Sequence, residues 1–484
     1  MGDEAPEPML DTGRHLKYWK MCLDRPLPHH YLSNEGIRMT LAYFIINSIC
    51  ILTPRTPDGK LASQTKPLIP PEDRRKLREW ILSHQQPGGG FAATSSLVFP
   101  LQGHEFWASE TGTQTTEGPG VGNLPATLFA LQLLALLDEE GHEAGAFNGV
   151  DRVQTLRWLR RLQRDDGSFG EVLTQLPGHG WFIGGGYDMR YCYIAAAIRW
   201  MLRGDVKQGE PGWVEDFDTQ GLANYILRSQ TYDGGFAGSS QEEPHAGYAY
   251  CAIGALSLLD RPLENSTAWH PSEMLHSGIR NMPGLIHWLT SRQFAYLDPN
   301  SYPIVTDNQG DDGADEAVNF LLPKRLADLS ISENLRHVAC NGRCNKVADT
   351  CYSWWVAAAL ANLGRTDLID WKSARRFLLD KMAHHVVGGF SKHPGGPPDV
   401  YHGCFGLAAL AIMGEPGLNQ VDSALAVPVY TVRVIEKARA ALVRRAMEEG
   451  KASLLTREAI QMGLAMRGGG TPAWLVAVGG YFGS

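Results

Sequence analysis

The hydrophobic pattern along the chain alternates between two kinds of helical segment. One kind carries a single apolar stripe, as at Val153, Leu156, Leu159 and Leu162; the other is apolar nearly all round and rich in alanine and glycine. Striped helices cover an outer surface, whereas helices apolar on every side are buried. Between them recur Gly-rich turns at 85–91, 163–169, 230–236 and 387–390, closing on Phe91, Phe169, Phe236 and Phe390. Residues 341–343 stand where a fifth turn is due. The pattern predicts apolar helices over 126–137, 189–202, 248–259, 350–363 and 404–413, and two earlier helices over 15–27 and 37–52. Strand patterns are almost absent. An even alternation, at roughly 50–80 residues per unit, closes most simply into an all-α, double-ringed α-α barrel, an α6/α6 toroid. An open solenoid is the alternative.

Length and charge refine this picture. A chain of 484 residues suggests about three domains, but a closed repeat needs only one, over 15–434. Residues 1–14 are polar and read as a disordered N-terminus. Residues 294–339 form an acidic insertion that breaks the rhythm, and 435–484 form a C-terminal extension, with a charged helix expected near 431–449. The net charge of −8 argues against a general nucleic-acid or anionic-membrane surface. No basic start followed by an apolar core marks a secretory leader. The longest apolar run, 39–52, is short for a bilayer core of ~30 Å. The eight cysteines are spread thinly, with Cys50, Cys192, Cys251 and Cys404 inside apolar runs, as in a reduced, cytoplasmic protein.

Ring closure would bring the start of every inner helix, with its positive dipole end, to one rim. Asp188, Arg190, His245, Asp349 and His402 all lie at such starts. The densest chemistry is the stretch Cys340-Asn-Gly-Arg-Cys-Asn-Lys-Val-Ala-Asp-Thr-Cys-Tyr-Ser-Trp-Trp355. Asp349 and Cys351 would diverge by about 200° inside a helix, so they can share a metal only where the chain is still turning. With His402 they would suit an open zinc site. A structural knuckle of Cys340, Cys344 and Cys351, and a plain core histidine at 402, are the rival readings. His245, Arg343, Lys346, Tyr352 and Lys392 are candidates for holding an anion, or are surface groups. Tyr193, Tyr248 and Trp355 are core residues or the wall of an apolar tunnel.

The stretch 341–355 resembles the zinc and diphosphate motif of the protein prenyltransferase β subunits, and the likeness runs from about His15 to Val434. The resemblance implies an α-α barrel that pairs with a helical-repeat α subunit and transfers a prenyl group to a cysteine of a C-terminal CaaX motif. It implies zinc on Asp349, Cys351 and His402, and diphosphate contacts from His245, Arg343, Lys346, Tyr352 and Lys392. Of these, Lys392, Tyr352 and His245 would act in catalysis. Arg190, Tyr193, Tyr248, Cys251 and Trp355 match the isoprenoid wall. Three positions resemble the type I geranylgeranyl enzyme more than the farnesyl one. Thr40 and Phe405 stand where the farnesyl enzyme has Trp and Tyr, and Lys392 where it has an Asp that binds magnesium. The resemblance therefore implies geranylgeranyl diphosphate as donor, no magnesium requirement, and substrates such as Rho-type small GTPases. Asn123 departs from the family's usual His. A farnesyltransferase β subunit, a terpene cyclase and a non-catalytic scaffold with structural zinc are the alternatives. No acid-rich run on an inner helix supports the cyclase.

Overall fold

The structure, a computed structural model, describes residues 7–56, 60–61, 67–95, 121–138, 145–176, 180–268, 270–296 and 336–466. In chain order the helices are α1 (Thr12–Asp24), α2 (Arg38–Leu52), α3 (Pro71–Leu82), α4 (Leu124–Leu136), α5 (Arg152–Arg161), α6 (Met189–Leu202), α7 (Thr219–Arg228), α8 (Ala246–Leu259), α9 (Glu273–Gly278), α10 (Met282–Thr290), α11 (Thr350–Asn362), α12 (Trp371–Arg376), α13 (Val400–Ile412) and α14 (Val429–Met466). Short antiparallel ladders join β1 (Val172–Leu176) to β2 (Gly180–Gly184), β3 (Gln293–Ala295) to β4 (Val338–Cys340), and β5 (Phe390–Ser391) to β6 (Pro398–Asp399).

The all-apolar helices form a closed inner ring. α2 packs on α4, α4 on α6, α6 on α8, α8 on α11, α11 on α13, and α13 returns to α2. This is the expected α-α barrel, and closure excludes the solenoid. The striped helices α1, α3, α5, α7, α10 and α12 each precede one inner helix in the chain. The stretch His29–Leu52 is long and apolar enough to cross a membrane, but 61% of its apolar window is buried, as α2 of the ring, while the 3₁₀ turn before it holds no buried residue.

Several boundaries differ from the pattern-based ones, and caps explain most of them. α4, α8 and α13 start two to four residues earlier than expected, because Asn123, His245 and Asp399 accept the free N–H groups of the first turn. α1 starts at Thr12, capped by Asp11, and Glu7 pairs with Arg376, so part of the stretch 1–14 is ordered. α1 ends at Asp24, because Arg25 turns extended ahead of Pro26.

The fifth turn also lies elsewhere than expected. The earlier turns close by bridges between Gln85 and Phe91, Gln163 and Phe169, and Gln230 and Phe236. The corresponding bridge is Gln293 with Cys340, in the ladder of β3 and β4. The insertion therefore grows inside the fifth turn, leaving and returning through one ladder; its residues 297–335 lie outside the described residues.

The end of the ring away from the helix starts is filled by the segment 419–428. Tyr43 and Asn47 of α2 donate to the Ala426 carbonyl at 2.7 and 2.8 Å, and Gln132 of α4 to that of Leu425 at 2.7 Å. Tyr193 of α6 and Tyr250 of α8 both donate to Ala424 at 2.7 and 3.2 Å, and Asn362 of α11 donates to Ser423 at 3.2 Å. Beneath this floor, Asp422 pairs with Arg261 through two hydrogen bonds of 3.0 and 2.6 Å. α14 then runs across the same end, packing Ala438 and Val443 against Gly145 and Gly204. It extends well past the charged helix expected over 431–449.

Candidate active site

The open rim is built from helix caps. Asp188, His245, Asp349 and Asp399 each hold extended backbone and accept hydrogen bonds from the first turn of α6, α8, α11 and α13. Because Asp349 is the cap, the chain is still turning between it and Cys351, and the predicted divergence does not arise. The carboxylate accepts from the Cys351 N–H at 2.9 Å. His402, in the first turn of α13, brings Nε2 to 3.2 Å from Asp349 Oδ1. The ligand atoms of Asp349, Cys351 and His402 all lie within 4.8 Å of one another, and all three residues are buried. Among the described residues no other such cluster occurs, so the knuckle of Cys340, Cys344 and Cys351 is not formed.

The electrostatics of this cluster favour a cation. Burial opposes ionisation of Asp349, but its hydrogen bonds to His402 and Cys351 prevail and lower its pKa. Burial, with Asp349 beside it, pushes the Cys351 thiol well up. Burial also disfavours a charged His402, yet hydrogen bonds to Asp349 and Asp399 raise it to about 9. A proton on His402 thus sits between two carboxylates where a metal could supply the positive charge. Asp399 is a residue the sequence reading passed over. Its Oδ2 lies 2.6 Å from His402 Nδ1 while its Oδ1 caps α13. Fixing Nδ1 this way aims Nε2 at the cluster, as metal-binding histidines require. The donor set of oxygen, sulfur and nitrogen fits a divalent metal.

Beside the cluster stands a coupled imidazole and phenol. His245 Nδ1 accepts from the Gly247 N–H at 3.0 Å, so in neutral imidazole the proton lies on Nε2, which donates to the Tyr352 oxygen at 3.0 Å. Burial, with Arg343 adding to it, lowers His245 to about 4. It is therefore neutral at pH 7 and acts through its N–H, not through a charge. Its hydrogen bond leaves the Tyr352 O–H free to donate outward.

The cations ring the mouth. Arg343 is paired with Glu243 at 2.5 Å, a partner the sequence gave no sign of. Lys346 and Lys392 are exposed. Lys392 follows β5's Ser391, its carbonyl accepts from Thr350 at 3.2 Å, and its charge favours ionisation of the Cys351 thiol. Arg190 is exposed at the rim, at the start of α6, and bound to Asp188 at 2.6 Å.

Inside the mouth every inner helix contributes aromatic side chains. Trp355 lies 4.5 Å from Phe405 and 5.0 Å from Tyr250; Phe405 lies 5.6 Å from Phe44. Tyr193 lies 5.4 Å from Tyr250 at the floor. Cys251 is buried on α8, near Asp188 and Arg190. Tyr248 is half-buried nearer the rim, with its ring 5.4 Å from His245. Thr40 is half-buried in the first turn of α2, one turn before Phe44. Tyr250, Phe44 and Tyr401 were not singled out by sequence. Tyr401 packs 4.8 Å from Phe405 and 4.9 Å from His402, and its place beside His402 was the available signal.

Comparison with known proteins agrees with this geometry. The family model described as the prenyltransferase alpha-alpha toroid domain matches residues 10–427. The chain is 30% identical over 440 residues to a geranylgeranyl transferase type-1 subunit beta of Arabidopsis thaliana, covering 88% of this chain and 91% of the relative. It is 25% identical over 427 residues to a protein farnesyltransferase subunit beta of Pyricularia oryzae, covering 84% and 63%. The fold matches the solved structure of Candida albicans protein geranylgeranyltransferase-I complexed with GGPP, with a TM-score of 0.64 at 23% identity, over 89% of this chain and 99% of that one. The chain belongs to the prenyltransferase α-α toroid family, and within it to the β subunits of the protein prenyltransferases.

Proposed function

We propose that this chain is the catalytic β subunit of a type I protein geranylgeranyltransferase. With a helical-repeat α subunit, in the cytoplasm, it would move geranylgeranyl from its diphosphate to the cysteine thiol of a CaaX terminus, on substrates such as Rho-type small GTPases. The observation that carries the reading is one juxtaposition: the buried Asp349, Cys351 and His402 cluster opens beside the Tyr352 hydroxyl, at the mouth of a ring lined with aromatics.

The donor set suits zinc, which when bound supplies the Lewis acidity that keeps a coordinated thiol ionised at neutral pH. Asp399 would hold His402 in the tautomer that offers Nε2. The prenyl chain would lie among Trp355, Phe405, Phe44 and Tyr250, with its diphosphate at the helix starts of α8 and α11. As the sulfur bonds to C1 and the C1–O bond breaks, negative charge grows on the leaving diphosphate. Tyr352, held by neutral His245, would donate a hydrogen bond there, and Arg343, Lys346 and Lys392 would supply charge. Groups fixed in advance at the place where charge develops stabilise the transition state most. Thr40 and Phe405, smaller than their farnesyl-enzyme counterparts, favour the longer lipid.

The test is zinc analysis of the purified chain, then incubation with labelled geranylgeranyl or farnesyl diphosphate and a CaaX-ending peptide, with and without an α subunit. We expect one zinc per chain, lost with activity in Cys351→Ala, and transfer only in the presence of α, with geranylgeranyl preferred. Farnesyl preferred would favour a farnesyltransferase. Zinc retained without transfer of either lipid would leave the scaffold.

A further inference from the structure

The two arginines of the rim are held in different ways. Arg190 is bound to Asp188, whose side chain is 13% exposed and also accepts from the first turn of α6, so that partner is fixed. Arg343 is bound to Glu243, whose side chain is 55% exposed and has no other partner among the described residues. The backbone beside Arg343 is anchored. The Gly342 carbonyl accepts from the Ala246 N–H at 2.9 Å, and a Cβ at Gly342 would come within 2.2 Å of the Tyr352 ring. What is left free to turn is the guanidinium.

Its surroundings say where it would turn. Burial dominates the pKa of His245 and of Tyr352, but at both the charge of Arg343 is felt as well, and at His245 Glu243 opposes it. The ion pair therefore stands beside the two groups that would meet the leaving diphosphate. Glu243 also lines a polar surface pocket of about 720 Å³ with Arg228 and Arg280, so a carboxylate that lets go of Arg343 has water and other cations to turn to. A pair of half-exposed side chains is worth a factor of about five at most in an equilibrium. A diphosphate carries more charge than a carboxylate and can take the guanidinium from it.

We propose that Glu243 is a further positioning residue of the transfer site. It holds Arg343 at the rim before the donor binds, yields it to the diphosphate, and takes it back as the product diphosphate leaves. A fixed partner such as Asp188 steadies a guanidinium, whereas one held only by the guanidinium itself competes with the ligand. The assignment rests on the reading of the mouth as a site for a prenyl diphosphate.

The experiment titrates the full, zinc-loaded chain, paired with an α subunit, with inorganic diphosphate in a calorimeter. It compares wild type, Glu243→Gln, Arg343→Gln and the double variant, each with its thermal midpoint checked. We expect Glu243→Gln to bind about threefold more tightly, a gain that damage to the fold does not give. Arg343→Gln should bind more weakly, and in that background Glu243→Gln should change nothing, since the cycle isolates the coupling between the two residues. Binding in Glu243→Gln equal to or weaker than in wild type overturns the proposal. So does a gain that persists without Arg343, which is plain repulsion between like charges, and so does an absence of diphosphate binding in every form. A wild type that shows the expected cycle but transfers neither lipid would bring down the proposed function and leave the assignment of Glu243 standing.

Discussion

At the scale of single residues, the rim shows caps doing two jobs. Asp349 ends a backbone need with one oxygen and offers the carboxylate to the metal cluster, and Asp399 does the same for α13 and for His402. A sequence reveals the ligand types, since Asp349, Cys351 and His402 differ from everything around them. It hides Asp399, because a helix-capping aspartate looks the same whether or not its second oxygen holds an imidazole. Asp399→Asn keeps the shape but weakens the hold on Nδ1, and we expect a loss of about 10–100-fold in zinc affinity with the fold intact. Competition with a chelator of known affinity measures it; unchanged affinity would show that Asp399 only caps. Lys392 carries the second prediction at this scale. If its charge neutralises the leaving group, turnover should run at nearly full rate with zinc present and magnesium removed. A steep dependence on millimolar magnesium would show that Lys392 does not reach the diphosphate.

At the scale of elements, the turn glutamines act as clasps. Gln85, Gln163, Gln230 and Gln293 each donate to a backbone carbonyl of the next connection and accept an N–H there. The N–H accepted belongs to Asp151, Asp218, Asn281 or Asp370, the caps of α5, α7, α10 and α12. So one side chain fixes where the next outer helix starts, which is why the repeat was visible as Gln-to-Phe turns. The fourth clasp was not seen, because its turn is split by the insertion and only its register, Gln293 against Cys340, restores the match. Gln230 is 7% exposed, and Gln230→Ala removes two hydrogen bonds to Asn281, the acceptor of its N–H and one of the two donors to its carbonyl, which the Leu285 N–H also reaches. We expect it to destabilise the chain by about 1–3 kcal/mol, read as a lower thermal midpoint. The exposed Gln220 serves as the control, and equal effects at both would remove the clasp. Inner helices were legible from their apolar periphery, and their starts were not, since the caps are polar residues that composition alone assigns to loops.

At the scale of the whole molecule, the ring is open at the capped rim and closed at the other end by 419–428, which inward-facing polar side chains of α2, α4, α6, α8 and α11 hold by its carbonyls. These contacts join residues more than 200 positions apart in several cases, so no local pattern announced the floor. Its anchor is the pair Arg261 and Asp422. Burial opposes a charged Asp422, but Arg261 outweighs it and holds the carboxyl below its usual range. A depressed carboxylate contributes stability above its unfolded pKa of about 4 and loses it as pH falls through the folded value. Asp422→Ala strands the Arg261 charge and should cost about 3–5 kcal/mol, with the gap to wild type constant from neutral pH down to about 5 and closing in acid. A gap that persists unchanged in strong acid would assign the loss to packing. Thr40 stands in the first turn of α2, three places from α8 and two from α11 in the ring of six, and one turn from Phe44. On the proposed reading the far end of the prenyl chain would reach across the ring toward it. A Trp at position 40 would fill that side in an interior where a methylene is felt, and overpacking costs about 1–3 kcal/mol. The fourth isoprene unit would lose its burial there as well. We expect the wild-type complex to prefer geranylgeranyl diphosphate and Thr40→Trp to shift the ratio of kcat/KM toward farnesyl by about tenfold or more, the equivalent of 1.4 kcal/mol. The comparison uses both lipids with one Leu-ending peptide; an unchanged ratio would place Thr40 outside the lipid's path and withdraw the support it lends to the type I reading.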